Sequence, residues 1–136
     1  MVMPRILTIK EPLGNPECPY CYRWVLELGL FSLRIHHWIG NDDLRVFHDH
    51  PYPFITFIFK GGYIDCTPGD IIEPLYAPAI RYRKASYKHT VMAKDCWSFL
   101  ICGFKCRNFK FWSKDLLNSW SPNNYFRKNK YICEDK

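Results

Sequence analysis

Two histidines separated by one residue are the side chains here whose type and spacing point most directly to chemistry. They are His48 and His50 in Phe47-His48-Asp49-His50-Pro51-Tyr52-Pro53. On an extended chain, positions i and i+2 share a face, so both imidazoles point the same way. Imidazoles converging on one point suit a borderline divalent metal ion. Pro51 and Pro53 withhold ladder donors and hold the segment at a strand end or bulge. A third ligand has to come from elsewhere. His89, in Ser86-Tyr87-Lys88-His89-Thr90-Val91, follows a strand-like run and is the candidate. The alternative is that these histidines are surface or packing residues.

Other residues can serve such a centre. Tyr63 and Asp65 share one strand face, and either can move a proton. Asp65 can also act as a carboxylate ligand, or it is simply a solvated edge residue. Arg81 and Arg83 share a face and can clamp an anionic ligand through bidentate contacts, the plain alternative being exposed strand arginines. Between Phe31 and Ile39, alternation puts Leu33, Ile35 and His37 on one apolar face and Ser32, Arg34, His36 and Trp38 on the other. His37 is therefore expected to face inward, as a ligand-site or packed core histidine.

The elements that must position these residues are strands. Tyr22–Leu28, Phe31–Ile39, Pro53–Phe59, Tyr63–Cys66, Ile80–Lys84, Trp97–Gly103 and Lys105–Trp112 are rich in β-branched and aromatic residues. Turn residues separate them, including a Gly61-Gly62 turn between two of the strands. Many short strands at this spacing predict an all-β sandwich or barrel. Ser113–Trp120 reads as one or two helical turns with Ser113 as N-cap. The basic, aromatic tail after Ser121 either wraps over the barrel or frays.

At this point the sequence resembles the cupins, whose first motif sets His-x-His between two glycines. His48-x-His50 and Gly61 match it. The resemblance runs from about Cys18 to Trp112. Within the cupins it looks like a group of short proteins often found in phage genomes, which share a run like His-Asp-His-Pro-aromatic and a following Gly-Gly-Tyr, here His48 to Tyr52 and Gly61 to Tyr63. It implies a jelly-roll barrel with one divalent metal (iron, zinc, manganese or nickel) on His48, His50 and His89, and a small-molecule ligand. The expected layout is one domain over residues 1–136, with a core at about 18–112 and an extension at 113–136. Two departures stand out. Phe54 occupies the position of the usual glutamate ligand, and the second motif keeps only His89. The resemblance thus implies either a metal-dependent enzyme acting on a small anionic molecule, by oxygenase or isomerase chemistry, or a binding module that sequesters one. A structural barrel is the third alternative.

Composition bounds the rest. The 136 residues carry a net charge of +6 and 18% aromatics, which argues against disorder. Residues 105–136 hold eight of the Lys and Arg and three of the acidic residues, so the charge is concentrated there. Asn124–Tyr131 interleaves aromatic and basic residues. It is short and carries no nucleic-acid motif, so a nucleic-acid partner is not expected and a charged, wrapping tail is. No apolar run is long enough to span a bilayer, and the first residues lack the apolar stretch of a secretory signal. A cytoplasmic protein is expected, in host cytoplasm if phage-encoded, with a homodimer formed through a sheet edge or aromatic surface. Most of the seven cysteines are then reduced. Cys18 and Cys21 form a CxxC pair, read as unrelated thiols or as half of a zinc site with Cys102 and Cys106.

Overall fold

A computed structural model describes residues 6–15 and 17–128. Ten strands and one short helix follow in chain order: β1 (Ile6–Asn15), β2 (Cys18–Glu27), β3 (Ser32–Trp38), β4 (Phe47–His48), β5 (Phe54–Thr67), β6 (Ile71–Tyr76), β7 (Ala79–Arg83), β8 (Thr90–Cys102), β9 (Phe111–Trp112), β10 (Ser119–Trp120) and α1 (Pro122–Lys128). Seven strands form one antiparallel sheet in the order β1-β2-β3-β8-β5-β6, with β7 also paired to β5. A smaller sheet runs β10-β9-β4. The two are joined by a bridge between His48 and His89.

β5 is the backbone of the fold. It carries β8 along one edge and, in succession, β7 and β6 along the other. The Gly61-Gly62 turn expected from sequence is instead a bulge within this strand. The register against β8 shifts between Ile58 and Lys60 and again between Gly61 and Tyr63. Gly61 has φ +72°, and a Cβ there would collide with the Asp95 carbonyl. Glycine is required because the strand must bend where the backbones approach.

β1 and β6 carry Pro12 and Pro74, so neither reads as a strand from sequence. Both lie at the sheet margin, where a missing donor is tolerated. Lys105–Trp112 forms a strand only at Phe111–Trp112. The helical turn expected at Ser113–Trp120 lies further on, at Pro122–Lys128. Ser113 instead closes the β9–β10 hairpin: its Oγ accepts from the Asn118 amide at 3.1 Å. α1 lies against β10 and buries Tyr125, which stacks on Phe111. Residues 129–131 of the aromatic, basic segment lie outside the described residues.

The interior holds a main cluster of Ile58, Tyr63, Leu75, Val91 and Cys96, and a second of Phe54, Leu100 and Cys102. Cys21, Cys96 and Cys102 are fully buried and behave as small apolar side chains. Cys18 is disulfide-bonded, so it is not a reduced thiol and cannot supply a zinc half-site with Cys21.

Candidate metal centre

The His48-Asp49-His50 segment is pinned from two sides. His48 exchanges both backbone hydrogen bonds with His89, at 2.9 and 3.0 Å, and the His50 amide donates to Ala85 at 2.9 Å. On the other side the buried Asp49 carboxylate accepts from the Lys110 amide at 2.6 Å, Arg107 at 2.8 Å and the Trp112 indole at 3.0 Å. The middle residue of the motif thus anchors the loop after β8 and fixes its two neighbours.

Three imidazoles converge as a result. Ring centroids of His48, His50 and His89 lie 4.7 to 5.1 Å apart, and one nitrogen from each falls within 4.8 Å of the others. Their Nδ1 atoms are all occupied. His89 Nδ1 donates to Asp65 Oδ1 at 2.6 Å, and His50 Nδ1 donates to the Tyr87 carbonyl at 3.1 Å. His48 Nδ1 lies 2.9 Å from Asp42 Oδ2, an ion-pair contact. With the protons on Nδ1, the Nε2 lone pairs face inward. His50 Nε2 and His89 Nε2 are 3.1 Å apart. Two lone pairs at that distance repel unless a proton or a metal cation lies between them. Two metal–nitrogen bonds of about 2.1 Å at near-tetrahedral or right angles span roughly 3.0–3.4 Å, so the spacing fits a shared ion.

The charges support the same arrangement. Burial lowers the His48 imidazole, but the Asp42 carboxylate beside it, helped by Asp49 and Asp65, raises it above its ordinary value. Burial and then the neighbouring His89 and His48 hold His50 well below. His89 is lowered by burial against the pull of Asp65. Asp65 is held below the usual carboxylate range: burial raises it, and the hydrogen bond and charge of His89, the Tyr87 hydrogen bond and the Arg83 charge together more than offset that. It also accepts from Tyr87 Oη at 2.6 Å and Arg83 at 3.0 Å.

A cavity of about 120 Å³ opens beside the three histidines, walled by Tyr20, Trp38, Phe54, Val91 and Leu100, with Thr56, Tyr63 and Ser98 supplying hydroxyls. No lysine or arginine lines it among the described residues. Phe54 packs edge-on to His50, with centroids 4.7 Å apart. Burial, and then Asp65, raises the Tyr63 phenol, which keeps its proton.

The remaining sequence candidates fall elsewhere. Asp65 stands behind His89 as its hydrogen-bond acceptor, not in the cavity wall. Arg81 and Arg83 share a face as expected, but Arg83 is bound to Asp65 and Glu73 and Arg81 leans on Glu73; neither lines the cavity. The inward placement expected for His37 is corrected. His37 lies on the outer face, stacked on Trp97 at 4.0 Å and paired with Asp95 at 2.9 Å, and His36 lines the cavity instead. Sequence reasoning missed Asp42, Asp49, His36 and the Tyr87 carbonyl. Only Asp49, inside the motif, carried a local signal.

No protein-family model and no curated protein matches the sequence. Solved structures do. A double-stranded β-helix protein from Klebsiella pneumoniae matches with a TM-score of 0.56 and 18% identity, over 72% of this chain and 89% of that one. That sets the class, a double-stranded β-helix. An RmlC-like cupin from Shewanella frigidimarina matches with a TM-score of 0.55 and 12% identity, over 74% and 86%. The iron(II) form of HppE gives 0.58 and 12%, over 72% of this chain and 56% of that one. At these identities the likeness is one of fold, and the chain has the cupin fold.

Proposed function

We propose that the chain is a mononuclear metal cupin in which His48, His50 and His89 hold one divalent ion through Nε2 and a small molecule binds at the ion's open positions. The observation that carries this is that each Nδ1 faces an acceptor, which leaves the Nε2 atoms free for an ion, while one ring nitrogen from each histidine lies within 4.8 Å of the others. The iron(II) HppE structure shows the same fold holding a metal in another protein. When bound, the ion would supply Lewis-acid polarisation or redox chemistry. The chain's own residues do the rest. The aromatic wall excludes water, Thr56 and Ser98 offer hydroxyls, and Tyr63 presents a protonated phenol as a donor to the ligand. An anionic ligand would take its countercharge from the ion, because no basic side chain among the described residues lines the cavity.

A non-catalytic binding role is the second reading. It is favoured by the placement of the carboxylates: Asp42, the one acidic residue among the described lining residues, lies against His48 Nδ1 at 2.9 Å, and Asp65 lies behind His89. Product analysis after incubation with a bound ligand separates turnover from sequestration.

Elemental analysis of protein purified without a histidine tag tests the metal assignment. One metal per chain is expected, and His48→Ala should lose it. Full metal content in His48→Ala would overturn the ligand set.

A further inference from the structure

We propose that His36 recognises the bound molecule: its Nε2 hydrogen-bonds the end remote from the ion, so the cavity selects short ligands that carry a neutral hydroxyl or carbonyl there. The inference rests on the metal reading of the same site and names the class of ligand it takes.

Strand register brings His36 into the cavity wall. On β3, Arg34, His36 and Trp38 share the inner face, and His36 stands between Arg23 of β2 and Ser98 of β8. Ser98 and Trp38 line the cavity beside it, the indole edge-on to the imidazole with centroids 5.9 Å apart. His36 thus enters from the large sheet, whereas His48 belongs to β4 in the smaller one, and it does not join the cluster of three ligand nitrogens.

Its ring nitrogen is an orphan. Among the described residues, two buried side-chain polar atoms lack a hydrogen bond, Asp42 Oδ2 and His36 Nε2, and both residues line this cavity. Asp42 Oδ2 has His48 Nδ1 at 2.9 Å. His36 Nε2 has no hydrogen-bond partner among the described residues. Folded proteins seldom leave such an atom unsatisfied, and in a cavity wall it marks the place of a ligand's polar group.

Charge decides which group. Burial, and then the charges of Arg23 and Arg34, keep the imidazole neutral. Those arginines are themselves paired, Arg23 with Glu11 at 2.8 Å and Arg34 with Glu27 at 3.5 Å. The His36 side of the cavity therefore has no unpaired cation for a second carboxylate or a phosphate. A neutral imidazole offers an N–H or a lone pair, which suits a carbonyl or a hydroxyl. Size narrows the class further. The cavity of about 120 Å³ is somewhat smaller than the ~150 Å³ that takes up a benzene ring, so the ligand has about six or seven non-hydrogen atoms. Its middle is apolar, to match Tyr20, Phe54 and Leu100 in the wall.

Calorimetric titration of the zinc-loaded full chain with hydroxamates tests this, the hydroxamate supplying the metal-binding head. Aceto- and propionohydroxamate carrying a terminal hydroxyl are compared with propiono- and butyrohydroxamate, which carry a methyl in its place. An apolar cavity without His36 favours the methyl, because a buried hydroxyl needs a partner. Wild type should instead favour the hydroxyl at least tenfold at one of the two lengths. In His36→Phe the preference should reverse toward the methyl, with zinc content unchanged. His36→Gln, which restores a hydrogen-bonding group, should favour the hydroxyl again. Circular dichroism and zinc analysis establish that each variant is folded and loaded. A zinc-loaded wild type that favours the methyl at both lengths overturns the proposal while leaving the metal assignment intact. So does a hydroxyl preference that His36→Phe leaves unchanged. A wild type that holds no zinc, or whose zinc takes none of the four hydroxamates, overturns the metal reading and this inference with it.

Discussion

Asp65→Asn tests the centre without touching a ligand. The carboxylate is 1% exposed and serves three donors: His89 Nδ1 at 2.6 Å, Tyr87 Oη at 2.6 Å and Arg83 at 3.0 Å. Asparagine keeps the shape but has one acceptor oxygen. If that oxygen faces His89, the amide NH₂ meets the Tyr87 hydroxyl and the Arg83 guanidinium, donor against donors. If the amide flips, His89 Nδ1–H meets an NH₂ group. Either way a buried charge-assisted bond is lost, and the ring is free to turn or to change tautomer. Loss of such a supporting acceptor costs 10–100-fold in metal affinity, about 1.4–2.7 kcal/mol. Competition for zinc against a chromophoric chelator near neutral pH measures it, with thermal melting as the folding control. Glu73→Gln removes Arg83's other carboxylate but leaves His89 untouched, and should keep wild-type affinity. An Asp65→Asn protein that melts and binds zinc as wild type does would refute the claim that Asp65 orients the ligand.

Three further outcomes follow from the same geometry. His48 is raised above its ordinary value by Asp42 against burial, so a proton competes with the ion. Metal affinity should fall as pH drops through that raised value, with proton release on binding measurable by calorimetry in buffers of different ionisation enthalpy. His36 is pushed down to about 3 by burial and then by Arg23 and Arg34. The unfolded chain takes up this proton and the folded chain does not, so stability is full above about pH 6.5 and declines toward pH 3. Between pH 7 and 5 His36 alone should cost on the order of 2 kcal/mol in metal-free protein. The fall in urea midpoint between the two pH values should shrink in His36→Phe, leaving the share due to the lowered His50 and His89, and an unchanged pH slope would contradict the assignment. Asp49→Ala removes the acceptor for Arg107, Lys110 and Trp112 and should destabilise the chain by about 3 kcal/mol in urea unfolding.

What the sequence made legible was local. The shared face of His48 and His50 follows from a spacing of two, and the strands of β2, β3, β5 and β8 from their β-branched and aromatic runs. The inward side of β3 was not legible, because the usual rule inverts here. In a barrel whose lumen holds a polar site, Arg34, His36 and Trp38 turn in, and Leu33, Ile35 and His37 turn out. The Gly61-Gly62 pair has the composition of a turn, yet the long-range approach of Asp95 decides its role. The acceptors behind the histidines are separated from them in sequence, as Asp65 is from His89 by 24 residues, so no local pattern links them.

The missing glutamate and the two aspartates belong to one charge argument. With Phe54 in the glutamate position, the proposed ion has three neutral imidazoles as protein ligands and no carboxylate among them. Yet Asp42 and Asp65 stand directly behind His48 and His89, each within 2.9 Å of an Nδ1. Their two negative charges would balance a divalent cation from one step further out, and Arg83 is shared between Asp65 and Glu73. A carboxylate ligand on the ion would take a coordination position and weaken its attraction for an incoming anion. Moving that charge behind the imidazoles keeps the ligands basic and correctly turned while leaving positions open on the cavity side. An anion entering the cavity meets no basic side chain among the described lining residues, so its binding should vanish when the metal is removed. A neutral ligand held by the aromatic wall should keep part of its affinity in metal-free protein. The metal dependence of binding therefore reports the charge of the ligand before its identity is known.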